Sequence, residues 1–175
     1  MENKKLRLMT FTSIFTALVF LATRFFAFPG PIPPGYINLG DSLIMVCAVL
    51  AGSKSGAFAG AFGSALADVF YPGGIIFAPF TFVVKGLEGY IIGKMANKES
   101  NVSIIIAIIV GALVMVGGYF LAEWFILPLI DKVFGITYAL AELPLNFVQG
   151  GINAGIGITL SLLLKKNKNL QIINQ

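Results

Sequence analysis

The chain has 175 residues, of which 57% are hydrophobic and only 11% are charged, and its mean hydropathy is +0.89. Soluble domains carry about 25% charged residues, so this composition excludes a soluble protein and indicates a membrane protein that crosses the lipid bilayer several times. The net charge of +4 does not indicate a nucleic-acid partner, because the Lys and Arg residues fall in short linkers and at the two ends of the chain.

Six apolar runs, separated by charged or Pro- and Gly-rich linkers, predict an all-α membrane protein. We expect one domain, residues 1–175, built as a six-transmembrane-helix bundle with spans at about 6–28, 41–52, 56–70, 75–96, 102–127 and 138–164. The loops on the side away from the termini hold only Lys132, with Arg24 near the boundary. The other cations lie on the side of the termini: Lys4, Lys5, Arg7, Lys54, Lys94, Lys98, Lys165, Lys166 and Lys168. The positive-inside rule therefore predicts that both termini are cytoplasmic.

Small residues form one face of the first predicted span. Thr10, Ser13 and Ala17 recur at spacings of three and four, which places them on one side of a helix. A thin face of this kind lets another helix approach closely in lipid. Packing within the bundle and docking onto a separate membrane partner would both explain it.

The segment 29–40 cannot be helical, because it contains four prolines and three glycines. Tyr36 and Asn38 follow the prolines and lie close to the mouth of any cavity between the spans. The segment is therefore either a stiff spacer or a lid.

Charged residues in the second to fourth spans are the strongest sign of a site. Asp41 starts the second span, Asp68 ends the third, and Lys85 and Glu88 lie inside the fourth. Charges are costly in lipid and usually face an interior cavity or one another. Asp41 could simply cap its helix, and Lys85 could pair with Glu88 or Asp68 to fix helix packing. The alternative is that these side chains contact a ligand.

The last two spans carry a second set of polar residues. Tyr119 and Glu123 lie near the end of the fifth span, and Glu142, Asn146 and Gln149 share one face of the sixth. With the predicted topology, nearly all of these groups and those of the earlier spans lie in the outer half of the membrane, whereas the inner half is apolar and rich in glycine. This asymmetry predicts a pocket that is open to the outside.

Other functional classes receive little support. The chain has no histidine and its one cysteine, Cys47, lies in an apolar run, so we expect no metal site and no cofactor. An intramembrane enzyme would need Asp41 and Asp68 to meet, and neither lies in a catalytic motif. A self-sufficient secondary transporter would show internal repeats and polar groups on both sides of the midplane, and neither is evident. We therefore expect a protein that binds a ligand and is not an enzyme.

Three stretches resemble a known family: Y-I-N-L-G-D-S-L-I-M at 36–45, G-x-x-x-G-x-x-x-S-x-x-x-D at 56–68, and A-P-F-T-F-V-V-K-G-L-E-G at 78–89. They are similar to the substrate-binding S components of energy-coupling factor (ECF) transporters, in the riboflavin-type branch that includes hydroxymethylpyrimidine and pyridoxine binders. The resemblance implies a multi-pass protein of a prokaryotic plasma membrane that binds a B-type vitamin or precursor with high affinity.

The resemblance also implies partners. An S component docks on a transmembrane coupling subunit, which works with two cytoplasmic ATPases, and it topples in the membrane to release its ligand inward. The family carries an A-x-x-x-A motif in its first span that contacts the coupling subunit. Ser13 and Ala17 stand at that spacing here, with Thr10 beside them.

We expect the ligand to be bound by polar and aromatic side chains of the outer half. These are Tyr36, Asn38, Asp41, Asp68, Lys85, Glu88, Tyr119, Glu123, Glu142, Asn146 and Gln149, with stacking surface from Phe77, Phe80 and Trp124. Asn and Gln offer both donors and acceptors, which suits a heteroaromatic ring or a hydroxyl group. We favour a pyridoxine- or hydroxymethylpyrimidine-like ring over riboflavin.

Overall fold

The computed structural model describes residues 2–30 and 35–167, and this part of the chain is mostly helical. Its six α-helices are α1 Glu2–Phe25, α2 Gly40–Ala51, α3 Ser53–Val69, α4 Ala78–Met95, α5 Asn101–Leu121 and α6 Ile136–Leu164. Two short strands, β1 Phe28–Pro29 and β2 Tyr36–Ile37, pair antiparallel between α1 and α2. The prediction of six helices is confirmed for the described residues. Pro31, Pro33 and Pro34 of the loop and Lys168 lie outside the described residues.

The helix ends differ from the predicted spans. α1 ends at Phe25 rather than at 28, because strand β1 follows it. α4 begins at Ala78 rather than at 75, because a 3₁₀ turn at Gly74–Ile76 comes first. α5 ends at Leu121, and the chain continues in a π-helical turn at Ala122–Ile126. These departures lie at the end of the bundle that holds the polar residues.

A single residue separates α2 from α3. The predicted spans leave a turn between 52 and 56, but α3 already begins at Ser53, and Gly52 alone reverses the chain with a φ of 85°. Glycine adopts this left-handed backbone conformation at little cost because it has no Cβ. α2 and α3 therefore form a tight helical hairpin.

Three helical segments of the described chain are long and apolar enough to cross a membrane: Lys4–Phe25, Asn101–Leu129 and Ile136–Leu164. α2 has 12 residues, which corresponds to about 18 Å of helix against a hydrocarbon core of about 30 Å. α3 has 17 residues and α4 has 18, close to the lower limit of about 17 for a span. That all six helices cross the bilayer, with both termini on one side, stays a prediction.

α2 is the central helix of the bundle. Eleven of its residues are buried, and it packs against α1, α3, α4 and α6. Val19, Ile44 and Cys47 belong to the apolar cluster between α1, α2 and α3, and Met45 and Ile108 to the one that joins α2 with α4, α5 and α6. A helix that is covered on all sides needs no polar stripe, which explains the uninterrupted apolar run after its first turn.

α3 packs against α4 at very short range along a ridge of small residues that contains Gly56 and Gly60. A Cβ on Gly60 would lie 2.4 Å from the carbonyl oxygen of Lys85, and a Cβ on Gly89 would lie 2.2 Å from that of Gly56. Only glycine permits backbones to approach so closely. The ridge thus brings the Lys85 backbone onto α3 and leaves its side chain beside α2.

Candidate ligand-binding site

A cavity of about 470 Å³, its open mouth included, lies at the end of the bundle where α2 begins. Nine of the eleven residues predicted to bind ligand line it: Tyr36, Asn38, Asp68, Lys85, Tyr119, Glu123, Glu142, Asn146 and Gln149. Phe77 also lines it, and so do four residues that were not predicted as binding residues: Thr23, Gly35, Ser64 and Thr81.

Asp41 and Glu88 lie behind the cavity wall and do not line it. Both are fully buried and form ion pairs with Lys85, which is 1% exposed. The Lys85 Nζ donates a hydrogen bond to Asp41 Oδ1 and lies 3.5 Å from Glu88 Oε2. The pairing of Lys85 with Glu88 is thus confirmed, but Asp41 is the closer partner of Lys85. Asp68 does not pair with Lys85; it accepts a hydrogen bond from Tyr36. The pairing with Asp41 was missed because it joins residues that are 44 positions apart.

Asp41 does not cap α2, which corrects the capping interpretation. The helix begins one residue earlier, at Gly40, whose backbone N–H donates to Asn38 Oδ1 at 2.9 Å. Asp41 lies inside the first turn, and its carboxylate faces α4 and α6, where it accepts from Lys85 and from Gln149 Nε2 at 2.9 Å. A carboxylate buried among three helices is stable only with such partners.

Amide side chains of α6 tie the start of α2 to the cavity. Gln149 Oε1 accepts from the Asn38 backbone N–H at 2.8 Å. Asn153 is fully buried; its Nδ2 donates to the Asn38 carbonyl oxygen at 2.8 Å, and its Oδ1 accepts from the Ser42 N–H at 2.9 Å. Sequence reasoning missed Asn153, although it continues the face of Glu142 and Gln149 by one further step of four residues.

Tyr36 connects strand β2 to α3 across the cavity. Its hydroxyl donates a hydrogen bond to Asp68 Oδ1, and its ring stacks on Tyr71 with 4.1 Å between ring centroids. Burial raises the pKa of the Tyr36 hydroxyl above its ordinary value, and the neighbouring Asp68 raises it further. Tyr36 is therefore a stable hydrogen-bond donor in the cavity wall. On the adjoining part of the wall, the hydroxyls of Thr81 and Tyr119 are hydrogen-bonded at 2.9 Å.

Two buried glutamates, Glu123 and Glu142, line the cavity. Glu123 lies in the π-helical turn that follows α5, and it interacts electrostatically with Glu142 on α6. The Glu142 carboxyl group packs against Gly35, where a Cβ would lie 2.8 Å from it. π-helical turns interrupt the regular helical spacing and occur often at functional sites. This turn brings the Glu123 side chain into the cavity.

Several buried polar atoms of the cavity wall have no hydrogen-bond partner in the described part of the chain. They are Thr23 Oγ1, Ser64 Oγ, Asp68 Oδ2, Glu123 Oε2 and Asn146 Nδ2. An unsatisfied buried polar group costs about 1–3 kcal/mol, so such groups are rare unless water or a ligand binds them. Within residues 2–30 and 35–167, no cluster of three or more His, Cys, Asp or Glu side chains is arranged to hold a metal ion.

The small-residue face of α1 points away from the bundle. Thr10, Ser13 and Ala17 are exposed. The inward face carries Thr12 instead, whose hydroxyl donates to Ser55 Oγ at 2.8 Å. Packing within this bundle therefore does not explain the small outer face, and docking onto a separate partner stays a prediction.

The chain matches the family described as "ECF-type riboflavin transporter, S component" over residues 3–166. The chain belongs to this family of transporter S components. It is similar to the thiamine precursor transporter HmpT of Lactococcus lactis subsp. cremoris, with 31% identity over 167 residues that cover 95% of this chain and 92% of HmpT. It is also similar to an uncharacterized protein of Pyrococcus woesei, with 39% identity over 150 residues that cover 85% of this chain and 95% of that protein.

Proposed function

We propose that this S component is the high-affinity substrate-binding subunit of an ECF-type importer and captures a B-type vitamin or precursor in the cavity. The observation that carries the proposal is the set of buried, unpartnered polar atoms around an open cavity in a member of this family. A bound ligand would supply the hydrogen-bond partners that these atoms of the cavity wall lack.

A ligand with a single ring, of the pyridoxine or hydroxymethylpyrimidine kind, fits this site better than riboflavin. The figure of about 470 Å³ counts open space at the mouth, so the enclosed part of the cavity is smaller than this, which favours a small ligand. Similarity to a thiamine precursor transporter over 95% of the chain points the same way. Tyr36 and Tyr119 supply aromatic surface, and Asn38, Asn146 and Gln149 supply amides.

The site opens outward if the chain lies in the plasma membrane of a prokaryote as its charges predict. The cavity is lined by the end of α1 and the start of α6, away from the helix ends that carry Lys4 and Lys165. The positive-inside rule assigns the lysine-bearing ends to the cytoplasm, and six spans would place both termini there.

Transport requires partners in this proposal. The exposed face of Thr10, Ser13 and Ala17 docks on a transmembrane coupling subunit, and two cytoplasmic ATPases supply the energy of ATP hydrolysis. The S component then topples in the membrane and releases its ligand inward.

Calorimetric titration tests the proposal. The full chain is purified alone in detergent and titrated, without ATP, with hydroxymethylpyrimidine, pyridoxine, pyridoxamine, thiamine and riboflavin. We expect tight binding of at least one single-ring compound, because binding needs only the cavity. Failure to bind any compound of the panel, by a chain that still unfolds cooperatively, would overturn the proposed function.

A further inference from the structure

The charges of the cavity wall are unbalanced. Among the described residues that line it, Asp68, Glu123 and Glu142 are acidic, and Lys85 is the one cation. Lys85 is already held by two carboxylates behind the wall. The nearby Arg24 donates from Nε to the Phe70 carbonyl oxygen at 3.1 Å and does not line the cavity. Among the described residues that line the cavity, an anionic ligand would therefore find no cation that lacks an acidic partner.

Two of the acids present an oxygen atom that the described chain does not satisfy. Asp68 and Glu123 are 2% and 4% exposed, and Asp68 Oδ2 and Glu123 Oε2 have no hydrogen-bond partner there. Tyr36 donates to the other oxygen of Asp68, and the Thr81 hydroxyl also interacts with this carboxyl group. The same wall holds one unpartnered amide donor, Asn146 Nδ2. The wall thus offers mainly hydrogen-bond acceptors, together with one donor and the adaptable hydroxyls of threonine and serine.

We infer that the cavity selects its ligand by charge, with Asp68 and Glu123 accepting hydrogen bonds from amino or protonated ring nitrogens of a heteroaromatic ligand while the wall excludes phosphorylated forms. The inference rests on the proposed function and narrows its ligand class. Lys85, in this account, holds α2 and α4 together and does not bind a phosphate.

The donor pattern of an aminopyrimidine matches this wall. Its exocyclic amine has two N–H donors for carboxylate oxygens, and a ring nitrogen can accept from Asn146 Nδ2. A phosphate ester carries about two negative charges, and the described wall offers no free cation to compensate them in this poorly hydrated site. The ring system of riboflavin offers one N–H donor and two carbonyl acceptors, so its ribityl hydroxyls would have to supply the donor for the second carboxyl group.

Two series of matched probes test the charge preference on the wild-type chain. The first is 4-amino-5-hydroxymethyl-2-methylpyrimidine, its analogue with a 4-hydroxyl in place of the amine, and its phosphate monoester. The second is pyridoxamine, pyridoxine and pyridoxine phosphate. In the series that binds, we expect loss of the amine to weaken affinity about tenfold or more, because a hydrogen bond to a buried carboxyl oxygen is lost. We expect the phosphate ester to bind about a hundredfold more weakly, because its charge would be buried without a free cation.

Two variants assign the preference to residues. Asp68→Asn and Glu123→Gln each should weaken binding of the amine about tenfold or more and reduce its advantage over the hydroxyl analogue. Glu99→Gln removes a carboxylate from an exposed loop. This control should change neither the affinity for the amine nor its advantage over the hydroxyl analogue. Thermal unfolding of the ligand-free proteins shows whether each variant is folded. If a variant does not fold, the two probe series on the wild-type chain still test the charge preference.

The outcomes separate the inference from the proposed function. Equal affinity for amine and phosphate ester, preference for the ester, or binding of riboflavin alone would overturn charge selection and leave the vitamin-binding function standing. Amine binding that folded Asp68→Asn and Glu123→Gln variants leave unchanged would overturn the roles of these two residues. Binding of no compound in the panel would overturn the proposed function and the inference together.

Discussion

Replacement of Lys85 by methionine should make the protein less stable to unfolding, because Lys85 is the cation of a buried group of three charges. Its Nζ lies 3.5 Å from Glu88 Oε2 and closer still to Asp41, and all three side chains are at most 1% exposed. At 3.5 Å and an effective dielectric constant of about 20, one pair of charges interacts with about 5 kcal/mol before desolvation. Because removal of the cation leaves two uncompensated buried carboxylates, we expect Lys85→Met to lower the free energy of unfolding by about 3–5 kcal/mol.

The single tryptophan of the chain provides the assay. Trp124 stacks on Phe125 with 4.2 Å between ring centroids, so its fluorescence should report loss of tertiary structure during denaturant titration in detergent. Lys94→Met is the matched control, because Lys94 lies on the same helix but is exposed. We expect this control to stay within about 0.5 kcal/mol of the wild type.

A double variant tests whether the cost comes from the leftover carboxylates. Adding Asp41→Asn to Lys85→Met removes one of the two buried charges, so it should recover at least about 1 kcal/mol of the lost stability. If Lys85→Met were no less stable than Lys94→Met but had lost ligand binding, the structural role of Lys85 would be refuted and Lys85 would be a ligand-binding residue.

Three further changes probe other parts of the structure. Gly89→Ala should lower the free energy of unfolding by about 1–3 kcal/mol, because the added Cβ would lie 2.2 Å from a carbonyl oxygen of α3. Ser13→Leu or Ala17→Leu should spare ligand binding but weaken co-purification with the coupling subunit, because each enlarges the thin outer face of α1. Tyr36→Phe should cost about 1–2 kcal/mol of stability by removing the donor to Asp68. Since its pKa is raised, the Tyr36 hydroxyl should stay protonated at about pH 10, where a free phenol is half ionised.

Each of these changes has a control or a contrary outcome. Gly151→Ala is the control for Gly89→Ala, because its added Cβ meets nothing within 4 Å, and equal melting temperatures would contradict the close-packing argument. Thr159→Leu enlarges an exposed position on α6 and should leave partner binding intact; normal co-purification of the α1 variants would count against the docking face. Wild type and Tyr36→Phe should show the same phenolate absorbance up to about pH 10, and an extra ionising group in the wild type would contradict the expected protonation.

Much of the fold and of the cavity wall was visible in the sequence, because lipid restricts what a chain can do. Long apolar runs have to be helices, and polar residues within them turn inward. The spacing of Glu142, Asn146 and Gln149 alone predicted that they share a face, and all three line the cavity. The same spacing would have included Asn153, which completes the network behind them.

The features that escaped prediction depend on contacts distant in sequence or on backbone irregularity. Nothing near Lys85 indicates that Asp41 is its partner, since the approach is created by the packing of α2 against α4. The π-helical turn that brings Glu123 into the wall leaves no mark in the apolar pattern of α5. The single-residue turn at Gly52 was also missed, because Ser53 and Lys54 look like loop residues and yet begin a helix.

The molecule that the purified protein carries in its cavity is the most direct evidence for its function. Asn146 Nδ2 is buried and unpartnered in the described part of the chain, so Asn146→Leu should fold at least as stably as the wild type while losing a hydrogen bond to the ligand. The measurement is mass spectrometry of small molecules released from both proteins after purification from the same cells. We expect a single-ring vitamin or precursor bound to the wild type and strongly depleted in Asn146→Leu. An equal amount on both proteins, or a wild type that neither carries such a compound nor takes one up when it is added, would contradict it.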